Sequence, residues 1–310
     1  MSARTILLAV GALATLAACN SDSPTPTETT TDVSGQPAFA KGDKRDKHVV
    51  VVSESDVTRQ LEDTPPTDNW VLYFRAANVG TARFRDGPGN PPQGDGSFEM
   101  FTSVPNDKFT LFNFDYHETR VADFTELGYQ TYQSSAAVPV QLPSINLTID
   151  RDGPAAADPV NGGFATLVFE PVYNVAQGPI VPATWQDWDA ISGGQAIWWL
   201  TRDNTVLGPR GTTFTWNAFK AVFPNATILG GIGPNQGSGG AALTASVDEF
   251  IVGVGRKHAT TYDFELCSGK GRGDDRRFDN ERGRGNDKCK DKGGKDDHRD
   301  GHDDRGRDRD

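Results

Sequence analysis

The chain has 310 residues, 36% of them hydrophobic and 9% aromatic, with 34 Gly, 19 Pro and 3 Cys. That is enough apolar material for one sizeable core, and too few cysteines for a fold that depends on disulfides. A net charge of −11 runs against the basic balance typical of nucleic-acid binders, so no nucleic-acid partner is expected.

The N-terminus, MSARTILLAVGALATLAAC, places Arg4 before an apolar run from Ile6 to Ala14 and small residues before Cys19. This is the pattern of a secretory signal, and the run is too short to span a bilayer. Leu16-Ala17-Ala18-Cys19 resembles the lipobox of bacterial lipoproteins. The resemblance implies removal of residues 1–18, a diacylglyceryl group on Cys19, and an exported protein lipid-anchored at the bacterial cell envelope or surface. Each buried CH₂ contributes about 0.8 kcal/mol, so two or more acyl chains make a durable anchor to the membrane. Residues 19–47 are rich in Ser, Thr and Pro and then in charge, with almost nothing to bury; they are expected to form a disordered spacer.

Residues 48–266 read as one all-β domain. HVVVVS is a β-branched run, and NWVLYFRA and KFTLFNFDY are aromatic and alternating. In INLTID, Ile145, Leu147 and Ile149 face one way while Asn146, Thr148 and Asp150 face the other. FATLVFEP is apolar on both faces, as an inner strand would be, and ASVDEFIVGVG and TTYDFE close the domain. Gly- and Pro-rich clusters such as RDGPGNPPQGDG and GPNQGSGG separate these strands as turns. TTFTWNAFKAVFPN is the one helical segment, with Thr215 as its N-cap and Pro224 as its stop. A dozen or so short strands with one short helix predict a two-sheet antiparallel jelly-roll sandwich.

Four of the six tryptophans, Trp185, Trp188, Trp198 and Trp199, lie within twenty residues. On extended strands, Trp185 and Trp188 point to opposite faces, and so do Trp198 and Trp199. With ISGGQ between them read as a turn, the segment is expected to form a hairpin. Each arm sends one indole into the core and one outward. The outward pair either forms a platform for a flat ligand such as a sugar or lies under a long Gly/Pro loop. Asp187 and Asp189 share a strand face beside them and join the four tryptophans as candidate ligand-binding residues.

From Ser268 onward the chain carries 14 Lys+Arg and 13 Asp+Glu, with Phe278 as its one large apolar side chain. Residues 267–310 are therefore expected to be a disordered charged tail. The residues ahead of Ser268 carry 17 Lys+Arg and 29 Asp+Glu, so the acidity belongs to the body. With Cys19 lipidated, Cys267 and Cys289 remain as a candidate disulfide in an oxidising setting.

GFATLVFEP, WQDWD, FKAVFPNATI, SVDEFIVGVG and TTYDFE, in that order, resemble bacterial exported modules of the concanavalin A-like, laminin-G-like jelly-roll superfamily. The resemblance implies two curved sheets with the final strand pairing near the first. It delivers no activity, since the fold hosts lectins, hydrolases, lyases and adhesion modules. Superfamily members that cut β-glucans carry E-x-D-x-x-E on one strand. The nearest string here, Glu54 to Arg59, ends in Arg. His117, with Asp115 and Glu118 nearby, is the other candidate for acid–base work, on a strand whose solvent face would also explain it. Asp150, Asp152 and Asp158 are candidates for a structural calcium, though a turn rich in Asp and Gly needs no metal. The expected function is non-catalytic binding of carbohydrate or another envelope or matrix polymer. The rivals are a glycan-active hydrolase or lyase with an unrecognised site, and a purely structural adhesion module.

Overall fold

The computed structural model describes residues 48–154, 163–237, 240–256 and 258–267. Cys19, Asp158 and Cys289, with the leader, the spacer and nearly all of the tail, lie outside the described residues. Cys267 is disulfide-bonded, to a partner outside them.

The described residues form fifteen strands and one α-helix. In chain order they are β1 (His48–Ser53), β2 (Thr58–Leu61), β3 (Trp70–Phe74), β4 (Thr81–Asp86), β5 (Gly96–Thr102) and β6 (Lys108–Asn113). Then come β7 (Phe124–Ala136), β8 (Ser144–Asp150), β9 (Phe164–Phe169), β10 (Trp185–Asp189), β11 (Ile197–Leu200) and β12 (Thr213–Thr215). The helix α1 (Trp216–Val222) precedes β13 (Thr227–Gly237), β14 (Leu243–Val254) and β15 (Thr260–Glu265).

They build a two-sheet sandwich. The first sheet is organised by β14. One side of β14 pairs with β7, which carries β10 beyond it. The other side pairs first with β5 and then with β15. Beyond these lie β4 and β1, so this side of the sheet forks. The second sheet runs β12-β11-β9-β8-β13-β6-β3-β2. Pairing is antiparallel except for β1 with β15 and β2 with β3, which are parallel. The final strand thus pairs with the first.

The alternation in the sequence is what makes this packing work. Ile145, Leu147 and Ile149 are all fully buried from β8. On β14, Ala245 and Val247 are buried, and so are Phe250 and Val252. Val247 and Phe250 are three apart, so an extra residue must be absorbed between them. A register shift against β7 between Asp248 and Ile251 does this, with Glu249 at φ 48°. The fork between β5 and β15 falls at this bulge.

The helix forms where expected. The Thr215 hydroxyl accepts the Ala218 N–H at 3.1 Å, capping the first turn, and Trp216 and Phe219 are buried from the same face.

One expectation is corrected. Trp185–Asp189 and Ile197–Leu200 are not arms of a hairpin. β10 joins the first sheet beside β7, and β11 joins the second between β9 and β12. The turn at Ser192–Gly194, with Gly193 and Gly194 at positive φ, carries the chain from one sheet to the other. The physical reason is core filling. Trp188 enters the core from one sheet and Trp198 from the other, both fully buried. Trp198 packs 5.5 Å from Phe169 and 5.2 Å from Trp216, centroid to centroid. A hairpin would have put both rings on one sheet.

Candidate binding cavity

Of the sequence-predicted residues, Trp188 and Trp198 are core. Trp188 Nε1 donates to Thr131 Oγ1 and Trp198 Nε1 to the Ala190 carbonyl, each at 2.8 Å. Trp185 and Trp199 are the outward pair and are half-buried. They lie on different sheets, so the platform of adjacent indoles does not exist. Trp185 tilts against Tyr132 at 5.6 Å and donates to the Pro88 carbonyl at 2.9 Å. It therefore lies under the Gly/Pro loop. Trp199 Nε1 instead donates to Glu170 Oε2 at 2.8 Å.

Asp187 stands beside Gln130 on the same outer face as Trp185. Asp189 caps the turn that follows, its Oδ1 accepting the N–H groups of Ile191 and Ser192. Asp150 is buried and accepts the Asp152 N–H. Among the described residues no three metal-ligating side chains converge. His117 lies exposed on a turn after β6 rather than on a strand, which corrects the reading that paired it with Asp115.

The outer face of the first sheet is closed. The loop from Gly87 to Asp95 crosses it and is tied at Pro88 by Trp185, at Gln93 by Asp248 and at Asp95 by Glu265. Gly94 is strongly favoured there. A Cβ at that position would stand 1.5 Å from Glu265 Oε1, and its φ is +53°. Asp248 is fully buried beneath the loop. Burial, with a smaller push from Asp263, raises its pKa to about 8, against the N–H groups of Phe264, Glu249 and Gln93 that favour the ionised form. Burial likewise lifts Asp263 to about 6, aided by the charges of Glu265 and Glu249. Glu99 on the same face is held between Arg83 and Arg85.

An open cavity of about 240 Å³ lies elsewhere, at the end of the sandwich where Thr102 and Leu243 of the first sheet meet Ser144, Asn235 and Gln236 of the second. Its rim is apolar, with Val104, Val140 and Tyr173 exposed to 37%, 50% and 45%. Its floor is polar. Gln236 projects from β13 toward the first sheet, and its Nε2 lies near three acceptors. These are the carbonyls of Met100 and Leu243 and Thr102 Oγ1, at 2.9–3.1 Å. Three acceptors fix which end of the amide is nitrogen. Gln236 Oε1 is buried without a partner, as is Gln141 Oε1. Asn235 Nδ2 donates to Ser144 Oγ and to the Gly237 carbonyl.

Two carboxyls line the cavity, and they differ. Asp107 accepts the N–H groups of Val79, Gly80, Ser103 and Val104. Burial opposes its charge, but those four donors outweigh it and hold its pKa low. Glu170 lies at the end of β9, oriented by Trp199. Burial raises its pKa, and the Trp199 bond opposes that rise without cancelling it. Sequence reasoning missed this site. Asn235 and Gln236 read as part of a turn cluster, and Glu170 as a strand end.

Neither a family model nor a curated protein matches the sequence. Among solved structures, the chain is similar to the β-1,2-glucanase from Parabacteroides distasonis, at 11% identity and a TM-score of 0.34 over 61% of this chain. The match spans 23% of the glucanase chain, about a quarter of its length.

Proposed function

We propose that the protein is an exported bacterial lipoprotein, anchored through Cys19, whose concanavalin A-like sandwich binds carbohydrate at the end-on cavity without cleaving it. The observation that carries the binding role is the cavity itself. Planar amide and carboxyl groups under an aliphatic and tyrosyl rim suit a sugar ring, which has polar hydroxyl edges and apolar C–H faces. Glycoside hydrolysis generally needs two carboxyls free to act on the bond. Here the four N–H donors occupy Asp107, leaving Glu170 alone, which favours binding over turnover.

A glycan array probed with the mature protein, together with a reducing-sugar assay, tests this. At least one glycan should be retained with no release of reducing ends. Val140→Trp, at an exposed rim position, should abolish retention while leaving the fold intact. Retention unaffected by Val140→Trp would place the site elsewhere, and release of reducing ends would make the protein an enzyme. An array with no retained glycan would remove the carbohydrate reading. For the anchor, mass spectrometry of the native protein should find a lipid-modified N-terminal Cys19. Cys19→Ser should leave the membrane fraction; a mature form cut elsewhere would overturn the assignment.

A further inference from the structure

None of the nine residues from Gly87 to Asp95 is buried, so little apolar contact holds this loop to the first sheet. Its ends are joined by the Gly87 N–H, which donates to the Asp95 carbonyl at 2.8 Å, and by the Ser97 hydroxyl, which donates to the Gly87 carbonyl. Across its span three bonds reach the sheet. Trp185 Nε1 donates to the Pro88 carbonyl at 2.9 Å, the Gln93 N–H to Asp248 Oδ2 at 3.2 Å, and the Asp95 N–H to Glu265 Oε1 at 2.7 Å.

Two things lie beneath it. Under Gly89 is the Tyr132–Trp185 pair; a Cβ at Gly89 would stand 3.4 Å from Tyr132 Cε2 and 4.0 Å from Trp185 Nε1. Under Gln93 and Gly94 are carboxyls. Asp248 is fully buried and Asp263 nearly so. Asp263 Oδ1 has no hydrogen-bond partner, and a Cβ at Gly94 would stand 3.4 Å from it. The groups around Asp248 do not neutralise it. Asp263 and Glu265 come from β15, and Glu249, which takes the Gln130 amide, from β14 itself. The register sets Gln130 of β7 and then Asp187 of β10 beside it. Arg83 and Arg85 of β4 are both committed to Glu99 of β5. Among the described residues neither Asp248 nor Asp263 has a cationic partner.

We infer that this loop is a strap that lies down in mild acid and lifts as the carboxyls beneath it ionise, uncovering the outer face of the first sheet at Trp185 and Tyr132. A protonated Asp248 tolerates burial; an ionised one does not, and it regains water when the strap moves aside. Ionisation also strengthens the Gln93 bond, which pulls the other way. Burial is the larger effect, since it raises Asp248 to about 8 in spite of three N–H donors, and Asp263 to about 6. A carboxyl whose pKa is higher under the closed strap than under the open one favours closure while it is protonated. Closure is therefore fully supported in acid. That support drains away as the pH climbs from the ordinary value of 3.8, through about 6 for Asp263, to about 8 for Asp248. Each pKa unit relieved by opening changes the open-to-closed ratio tenfold. The surface uncovered is an aromatic pair flanked by Gln130 and Asp187, separate from the end-on cavity, and the device stands independently of the carbohydrate reading.

Millisecond hydrogen-exchange labelling of the mature protein between pH 5 and pH 8.5, corrected for intrinsic exchange rates, tests this. Protection of the Gln93 and Asp95 amides should fall at least about tenfold over that range, the equivalent of one relieved pKa unit. Low urea should leave their exchange unchanged while speeding that of the β8 amides, the mark of a local opening. Acrylamide quenching of the Trp185 fluorescence, taken as wild type minus Trp185→Phe, should rise over the same range. Asp248→Asn should hold the protection nearly constant. Asp263→Asn, which replaces an oxygen that has no partner, should shrink the fall, and it decides the matter if Asp248→Asn does not fold. Protection that stays level or rises with pH would overturn the inference, because the Gln93 bond would then outweigh burial. So would strap amides that follow urea as β8 does, since the strap would then open only with the whole domain. A fall of undiminished size in both variants would show that these carboxyls do not drive the opening, and the inference would fail.

Discussion

Trp188→Ala and Trp198→Ala should each destabilise the domain by about 3–5 kcal/mol, the cost of emptying a large buried side chain. Each indole is fully buried, and each also satisfies a partner, Thr131 Oγ1 for Trp188 and the Ala190 carbonyl for Trp198. Truncation would leave those acceptors unpaired inside a cavity. Trp185→Ala and Trp199→Ala should cost far less, on the order of 1 kcal/mol, because those rings are half-buried and each makes one polar bond that water can replace. Urea unfolding of the four variants would show two classes. A single class, with all four equally damaging, would mean that the loop over Trp185 and the Glu170 contact of Trp199 are as integral to the fold as the core.

The second large effect is on pH. Between the unfolded value of 3.8 and the folded value of about 8, Asp248 holds a proton in the native state that the unfolded chain releases. Stability therefore falls as pH rises through that window, with a limiting slope of about 1.4 kcal/mol per pH unit for one group. Asp263 adds to the fall from 3.8 up to about 6, and the raised pKa of Glu170 acts in the same direction. Glu62 and Asp107 have lowered pKa values, so their contribution is lost only as the pH drops further into acid. The fold should be most stable in mild acid, near pH 4–5, and weaken toward pH 8. Urea midpoints at pH 4.5, 6 and 8 measure this, and Asp248→Asn should flatten the curve. A flat wild-type curve would mean that the three N–H groups at Asp248 keep it ionised against burial.

Local chemistry made much of the fold legible. The alternation of Ile145, Leu147 and Ile149 announces β8, and the Thr215 cap and Pro224 stop bracket α1 closely. The burial of two of four indoles also follows from alternation. Which sheet a strand joins does not. Periodicity says how side chains alternate along a strand, but partner choice is made by the core. The turn through Gly193 and Gly194 was visible, whereas its crossing from β10 in one sheet to β11 in the other was not. The cavity was harder still. Gln236 owes its role to Met100, 136 residues away, and Glu170 to Trp199, 29 residues on. No local pattern encodes contacts at such separations. His117 misled because KFTLFNFDY alternates past the point where β6 ends at Asn113.

The parallel pairing of β1 with β15 bears on how the domain carries load. His48 lies opposite Thr260 and Ser53 opposite Glu265, six pairs in register. The chain enters at one end of this ribbon and leaves at the other, about 20 Å away by the rise of an extended strand. A tether drawn from ahead of His48 against a hold applied beyond Glu265 pulls the two strands along their length in opposite directions. Every hydrogen bond between them is then stressed at once. An antiparallel pair of first and last strands would bring both points of attachment to the same end, where the bonds would break in succession like a zip. Under such a pull the shear arrangement slows forced unfolding, which is a matter of rate rather than equilibrium stability. It lets a sandwich of ordinary stability withstand a pull applied between the chain ahead of His48 and the chain beyond Glu265.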